Sequence, residues 1–478
     1  MPKDKGNLVF RAKKLISDSF EVESKENQVS IFCKLCSSKF KVDPNHLKTQ
    51  YQSHVNSAKH KKCKEKNILQ PPICSSISNV NTQKEKIDSY STKLATAFIE
   101  AGIPLWKLRH SSIKKFFLEE HKENLPCIKT FYNKIDVIYH STFQKIKEYI
   151  REHPVYFIVD ETKDVLKRYA LNILVGKIDG SISKSMLLCT LFLKQTNHTT
   201  VQQSVHKACA LLYGSEIPFK KIWFLISDQA PYMVKAGKVL KETFPNLKHI
   251  TCLAHALNIV CESIKDEHGV VNDMIAGMKA ILAKSNVRSQ QFSEICKLPL
   301  PPSVIEIRWN SWLNAAFYYA KNFTVIKSFI VALDTDSKAV EKLKKCIEET
   351  DLEQSLFDLN KYAFLTEAVT RLQKHGLTVE EQMTILSSVR SKLTGYQLEK
   401  LEKSLSKNPD WNFFEKLSVD EKIKCNFVPM VSVDVERSFS IYRYILSDRR
   451  YSLTESHLAM LNVIQFNNFI DDEEGELE

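Results

Sequence analysis

At Val155 the hydrophobic rhythm of the chain changes, and this change constrains the fold more than any other feature of the sequence. Upstream, the stretches LATAFIEAGIPLWKLRHSSIKKFFLEEH and CIKTFYNKIDVIYHSTFQKIKEYIREH place apolar residues three and four apart. Leu94, Phe98 and Ile99, then Ile113, Phe116 and Phe117, trace the stripe of amphipathic helices. From Val155 short apolar runs take over: VYFIVDET, YALNILVGKID and SISKSMLLCTLFLKQ, with turn-like breaks at 163–168 and at Gly180. A helix (TVQQSVHKACALLYG), a buried strand (KIWFLISD), a helix from Pro231, a strand (KHITCLA) and a helix (HALNIVCESIKDEH) follow. The expected order is β-β-β-α-β-α-β-α, an antiparallel meander continued by alternating units.

That is the order of an RNase H-like core, in which the first and fourth strands are neighbours. Both of those runs end in an acid, so Asp160 and Asp228 are expected side by side. Adjacent carboxylates are costly unless a cation neutralises them. With a third carboxylate they could hold two Mg²⁺ or Mn²⁺ ions about 4 Å apart, clamping the attacking and leaving oxygens of a phosphodiester. Taken singly, each Asp could instead cap the turn or helix after it, and Asp228 before Gln229-Ala230-Pro231 suits an N-cap. Their paired positions favour the metal site. The third carboxylate is expected on a helix near the C-terminus, where VSVDVERSFSIYRYILSDRRYSLTESHLAMLNVIQFN offers Asp434 and Glu436 equally.

The first sixty residues carry a different signature. Cys33-x2-Cys36 is followed, after seventeen residues, by His54-x5-His60. Two thiolates from a tight turn and two imidazoles from one helix can meet at a tetrahedral Zn²⁺. Phe32 and Phe40 supply the small core of a ββα module. His46 is a competing ligand, but His54 and His60 suit a single helix better. Binding the ion would supply the folding free energy that so small a core cannot. Lys48, Lys59, Lys61, Lys62 and Lys64 then line or follow the helix, placed for the phosphates of double-stranded DNA.

Charge agrees with that placement. The 478 residues carry a net charge of +12, and residues 1–66 hold 15 Lys/Arg against 7 Asp/Glu. A basic head on a nearly neutral body is expected where one module touches nucleic acid. The twelve cysteines are scattered, with only Cys33 and Cys36 close, which argues for a reducing compartment and against a disulfide framework. No apolar run approaches the roughly 20 residues that cross a membrane, and the start has no secretory h-region. Neither a membrane partner nor a small-molecule substrate is expected.

The FCKLC start and YQSHVNSAKHKKCKEK end of the first module resemble the BED-type finger of transposases and the finger of the CGG triplet-repeat-binding type. Further on, VDETKD, SDQAPYMVKAGK, CLAHALN, RWNSW and DVERSFS…SDRRYSLTESHL occur in the order found in transposases of the hAT superfamily, which the chain resembles from about Val155 to Asn467. The resemblance implies a triad of Asp160, Asp228 and Glu436, and so selects Glu436 over Asp434. It implies DNA contacts from Arg308 and Trp309, the aromatic stabilising a flipped base by stacking worth about 1–3 kcal/mol. Trp312 is a second candidate, with a buried core tryptophan as the alternative. It places Cys252 and His255, a CxxH at a strand–helix junction, in the core near the active site as structural or supporting residues. It further implies dimerisation through residues 428–467, where Phe439, Tyr442, Ile445 and Leu446 would bury against the core or a partner.

The expected fold is thus α/β, an RNase H-like core interrupted by an all-α insertion and preceded by a zinc finger and a helical neck. The expected divisions are a finger at 1–66, a flexible linker at 67–91 around Pro71-Pro72 and a neck at 92–153. The first part of the core follows at 154–287, then a helical insertion at 288–424, shorter than its counterpart in hAT enzymes. The last core helix and dimerisation region occupy 425–470, and an acidic tail 471–478. The functional expectation is a nuclear, homo-oligomeric DNA transposase. The alternative is a host-adopted, dimeric DNA-binding regulator without catalysis.

Overall fold

The computed structural model describes residues 5–17, 20–25, 28–33, 36, 38–62, 82–121, 125–304, 310–335, 337–407, 409–446 and 453–475. Two compact units emerge, residues 1–85 and 86–478, with the boundary inside the helix Thr82–Glu100. That helix begins within the stretch expected to be linker, because the three–four spacing of the neck extends back past Ser91. Residues 63–81, including Lys64 and the Pro71-Pro72 pair, lie outside the described residues.

The first unit is larger than the ββα module its spacing suggests. A helix, Lys5–Leu15, precedes an antiparallel sheet of three strands: β1 (Phe20–Lys25), β2 (Gln28–Cys33) and β3 (Ser38–Lys41). A helix, Leu47–Asn56, follows, and residues 58–62 resume helical structure after a break at Ser57. Leu8 and Ala12 of the first helix are buried with Phe20, Val29, Ile31 and Leu47 around Cys33 and Cys36. The extra helix and β1 thus add apolar cover that a minimal finger lacks.

The second unit is a mixed α/β body, predominantly helical. Its five strands are β4 (Val155–Lys163), β5 (Tyr169–Lys177), β6 (Met186–Leu193), β7 (Ile222–Ser227) and β8 (Lys248–Thr251), ordered β6-β5-β4-β7-β8. β4, β5 and β6 pair antiparallel, whereas β7 runs parallel to β4 and β8 parallel to β7. The run Val155–Asp160 is buried throughout. A central strand covered on both faces reads as continuous apolar sequence rather than as alternation, which is why VYFIVD carries no polar break before its acid. The antiparallel turns are short, and the parallel steps run through the helices His198–Tyr213 and Pro231–Thr243, as parallel connections require.

One apolar core runs from both faces of the sheet into the helices between Gly269 and Ser406. A second joins the neck to the chain's end: Ala95, Ile99, Leu105, Leu108, Phe131 and Ile135 pack with Tyr442, Ile445, Leu446, Leu458, Leu461 and Ile464. The final helix, Glu455–Gly475, extends into the stretch expected to be a separate acidic tail, and residues 476–478 lie outside the described residues.

Close approach makes one glycine indispensable. A Cβ on Gly237, in the helix Pro231–Thr243, would lie 2.1 Å from Nδ1 of His249, a ring on β8 only 2% exposed. Neither neighbour has room to yield, so Gly237→Ala is expected to destabilise the second unit by about 1–3 kcal/mol, the usual range for overpacking. Urea unfolding of the variant against the native chain measures this.

Candidate functional site

The four expected zinc ligands converge. Sγ of Cys33 and Cys36, Nε2 of His54 and Nδ1 of His60 form the only set of three or more candidate ligands among the described residues whose atoms all lie within 4.8 Å of one another. The Cys33 Sγ–His60 Nδ1 distance is 3.4 Å, Cys36 Sγ–His54 Nε2 3.3 Å and Cys36 Sγ–His60 Nδ1 3.9 Å. Tetrahedral bonds of about 2.3 Å to sulfur and about 2.0 Å to nitrogen set ligand atoms roughly 3.3–3.8 Å apart, so the group could hold a zinc ion. Protonation also suits it. Burial opposes ionisation of Cys36, but hydrogen bonds from Ser38 and Cys33 and the charge of Lys59 hold its thiol below the ordinary value. Burial, then the charges of His60 and Lys59, hold His54 below its own. Thiolate and neutral imidazole are the metal-binding forms.

The two histidines do not share a helix, contrary to expectation. Six residues at about 100° each would turn them roughly 120° apart around an unbroken helix. Ser57, extended at ψ 144°, ends the first helix and resets the phase. Its Oγ accepts from the His60 N–H at 3.2 Å and its carbonyl from the Lys61 N–H at 3.0 Å, so it caps the second segment. Phe20 stacks on His60 and Phe40 on His54, centroids 5.6 and 4.9 Å apart, fixing both rings. His46 is exposed and outside the group. Lys48, Lys59, Lys61 and Lys62 are all exposed, and Lys59 Nζ also donates to Ser38 Oγ at 2.8 Å.

In the second unit, three distant acids gather at the carboxyl end of the sheet. Ile158 pairs with Ile226 in the parallel register of β4 and β7. Continuing that register by two residues sets Asp228 opposite Asp160. Glu436 reaches them from the helix Val433–Ile445, which packs against β4 and β5. Burial, then the negative charge of Glu436, with Asp228 and Glu161 adding and His255 opposing, pushes Asp160 well above the usual carboxylate range. Burial also raises Asp228, against a hydrogen bond from the Ala230 N–H at 3.1 Å. Asp228 therefore makes the turn before the helix as well as facing Asp160. Asp160 feels the charge of the other two, but the three are not drawn to a common ligation distance. Asp434, the other reading of the third acid, accepts from Arg437 Nη1 at 3.0 Å instead.

His255 and Cys252 stand beside these acids. His255 Nε2 lies 3.8 Å from Glu436 Oε1. Burial alone would lower its pKa, but the charge and hydrogen bond of Cys252, then Asp160 and Glu436, raise it to about 10. Burial would likewise raise Cys252, yet His255 and a bond from the Ser432 N–H at 3.2 Å lower it. Each side chain shifts the other toward its charged form, and the half-buried His255 stands on the side of the acids. Ser432 was not legible as a partner, being some 180 residues away in the chain. Glu161 was missed because strand alternation turns it from Asp160. It accepts a hydrogen bond from Tyr232, and burial with the charge of Asp228 raises it to about 7.

Trp312 is a core residue, its Nε1 donating to Asn272 Oδ1 at 3.2 Å. Arg308 and Trp309 lie outside the described residues. Phe439, Tyr442, Ile445 and Leu446 are buried within their own chain. Among the described residues no helix is long and apolar enough to cross a membrane. No protein-family model matches the chain, and no curated protein matches it.

Two outcomes follow from the geometry. The native chain is expected to bind one equivalent of zinc by metal analysis, and Cys33→Ser to lose it together with the protease resistance of residues 20–62. His249, buried and made more basic only weakly by Asp410, is held at about 4 by burial and by Lys241. The folded chain then binds fewer protons here than the unfolded one, so the stabilisation is complete above about pH 6.5 and is lost as pH falls toward 4. Between about pH 7 and about pH 5 the raised carboxyl groups of Asp160, Glu161 and Asp228 act in the opposite direction in both chains, so urea unfolding is expected to show a less favourable change on acidification for the native chain than for His249→Asn.

Proposed function

We propose that the chain is a zinc-dependent DNA-binding protein with a hAT-type transposase body, in which an RNase H-like core cuts and joins phosphodiester bonds through Asp160, Asp228 and Glu436. The observation that carries this reading is the parallel pairing of β4 with β7 at the centre of a sheet ordered β6-β5-β4-β7-β8. It supports a site in which buried Asp160 and half-buried Asp228 lie on neighbouring parallel strands, with Glu436 on the helix Val433–Ile445 as the third acid.

Mg²⁺ or Mn²⁺ bound there would supply the Lewis acidity that activates a water and stabilises the leaving oxygen. The donor set is of the right chemical kind for such ions, hard carboxylate oxygens. Asp160 and Asp228 would hold the ions from the sheet and Glu436 from the helix. His255, kept cationic by Cys252, orients Glu436 and adds a positive charge facing the phosphate. The exposed Lys48, Lys59, Lys61 and Lys62 of the finger support backbone contacts to double-stranded DNA. Homodimerisation and a nuclear location belong to the same reading, with Arg308 and Trp309 as its base-handling residues.

The test is strand cleavage and transfer on DNA ends taken from the sequences that flank the gene, including any inverted repeats found there, with Mn²⁺ present. The native chain is expected to cut and join, and Glu436→Gln to do neither while still binding DNA. A native chain that binds DNA but never cuts it sinks the catalytic reading and leaves a regulator. In the same binding assay, Lys61→Ala with Lys62→Ala is expected to shallow the dependence of log affinity on log salt by about 0.9 for each phosphate no longer neutralised by its lysine.

A further inference from the structure

The helix Val433–Ile445 owes its place to more than apolar packing. Two polar residues on it, Ser438 and Tyr442, lie one turn apart and are both fully buried against the sheet. Asn172 Nδ2 donates to Ser438 Oγ at 2.7 Å, and Ser438 Oγ donates to the Val435 carbonyl at 2.6 Å. Asn172 Oδ1 accepts from Thr190 Oγ1 at 2.7 Å, and Thr190 Oγ1 accepts from Asn462 Nδ2 at 2.9 Å. Asn172 is the cross-strand partner of Asp160 on β5, and Thr190 that of Asn172 on β6. Directly paired residues share a face of the sheet, so Asp160, Asn172 and Thr190 form one row, and the row's polar neighbours hold both C-terminal helices.

The second attachment is at the β4–β5 turn. Tyr442 Oη donates to Asp164 Oδ2 at 2.8 Å. The Asp164 side chain is 1% exposed and also accepts from the N–H groups of Leu166 and Arg168, each at 2.9 Å, and from Arg168 Nε at 2.8 Å. A carboxylate with four donors is fixed in place, and so is what it holds.

We infer that Asn172 and Asp164 are positioning residues: through Ser438 and Tyr442 they set the register of this helix on the sheet and so aim Glu436 at Asp160 and His255. Apolar contacts alone leave a helix free to slide or turn by small amounts. Buried hydrogen bonds of fixed length do not, because a lost partner in so dry a place is costly. The value of this aim for catalysis rests on the function proposed above, whereas the aim itself does not.

The experiment uses the full chain with ¹⁵N-histidine, the His255 signal being assigned with His255→Gln. Glu436 sits 3.8 Å from His255 Nε2, so Glu436→Gln shifts that signal and provides the reference for a displaced acid. Tyr442→Phe and Ser438→Ala each remove only a hydroxyl and are combined. In the combined variant the His255 signal is expected to move toward its Glu436→Gln position, while unfolding stays cooperative and zinc content unchanged. Mn²⁺ binding at the acids is expected to weaken about tenfold, the lower end of losses seen when an outer partner of a metal ligand is removed. A His255 signal that stays at its native position overturns the inference. If the native chain binds no Mn²⁺ at these acids, the proposed function falls, and the His255 signal still decides the positioning. Should the combined variant fail to fold, Tyr442→Phe alone is read by the same signal, with the same outcome required.

Discussion

The pairing of β4 with β7 is the constraint on which the second unit's chemistry depends. Parallel neighbours run in the same direction, so Asp160 on β4 and Asp228, just past the end of β7, come to the same edge of the sheet. Like charges brought together there repel, and burial adds a further penalty. Beside Asp160 and Glu436 the fold sets one imidazole, His255, whose pKa is raised to about 10 by Cys252 and by these acids against the effect of burial. Burial first, and then the charge of Glu436, lifts Asp160 well above the usual carboxylate range, and a bound divalent cation would favour the ionised carboxylates over the protonated ones.

Much of this was legible in the sequence because buried strands and amphipathic helices differ in period. The change at Val155 gives the order of β4 to β8 and their helices, and the acids closing VYFIVD and KIWFLISD mark the edge where they meet. Other features were hidden for identifiable reasons. The break at Ser57 lies in the finger's His-x5-His spacing, and only a count of helical angle shows that an unbroken helix cannot bring both rings to one point. The helix Lys5–Leu15 and β1 are short and rich in charge, so neither period stands out. Glu161 alternates away from Asp160 and becomes visible only when Tyr232 is seen to reach it. Asn172, a polar residue inside a buried strand, was the one available hint of the row it anchors.

The neck and the last two helices form a single packed layer rather than a spacer and a separate docking region. Tyr442, Ile445 and Leu446 fill the same cluster as Ile99, Leu105 and Phe131. Of the two places expected for these residues, the core or a partner, they occupy the core of their own chain. This layer also explains how a helix so late in the sequence can be held firmly enough to contribute to a site made of β4 and β7.

Between the helix Leu253–Glu267 and the helix Val433–Ile445 lie more than 160 residues, mostly helical among the described ones, yet the chain returns to the point it left. The Leu253 N–H donates to the Met430 carbonyl at 2.9 Å, and the Ser432 N–H donates to Cys252 Sγ at 3.2 Å. The entropy of closing a loop grows only slowly with its length, so an insertion of this size is tolerable if its ends are secured where they meet. Here the securing residues are the same ones that build the site. Cys252 both receives the returning backbone and holds His255 cationic, and Ser432 both closes the insertion and lies 3.4 Å from His255 Nδ1. Any loosening of the insertion's base thus acts first on the histidine beside Glu436. Farther along the helical block, Ser404 Oγ donates to Gln229 Oε1, next to Asp228, so the block meets this edge of the sheet at more than its base.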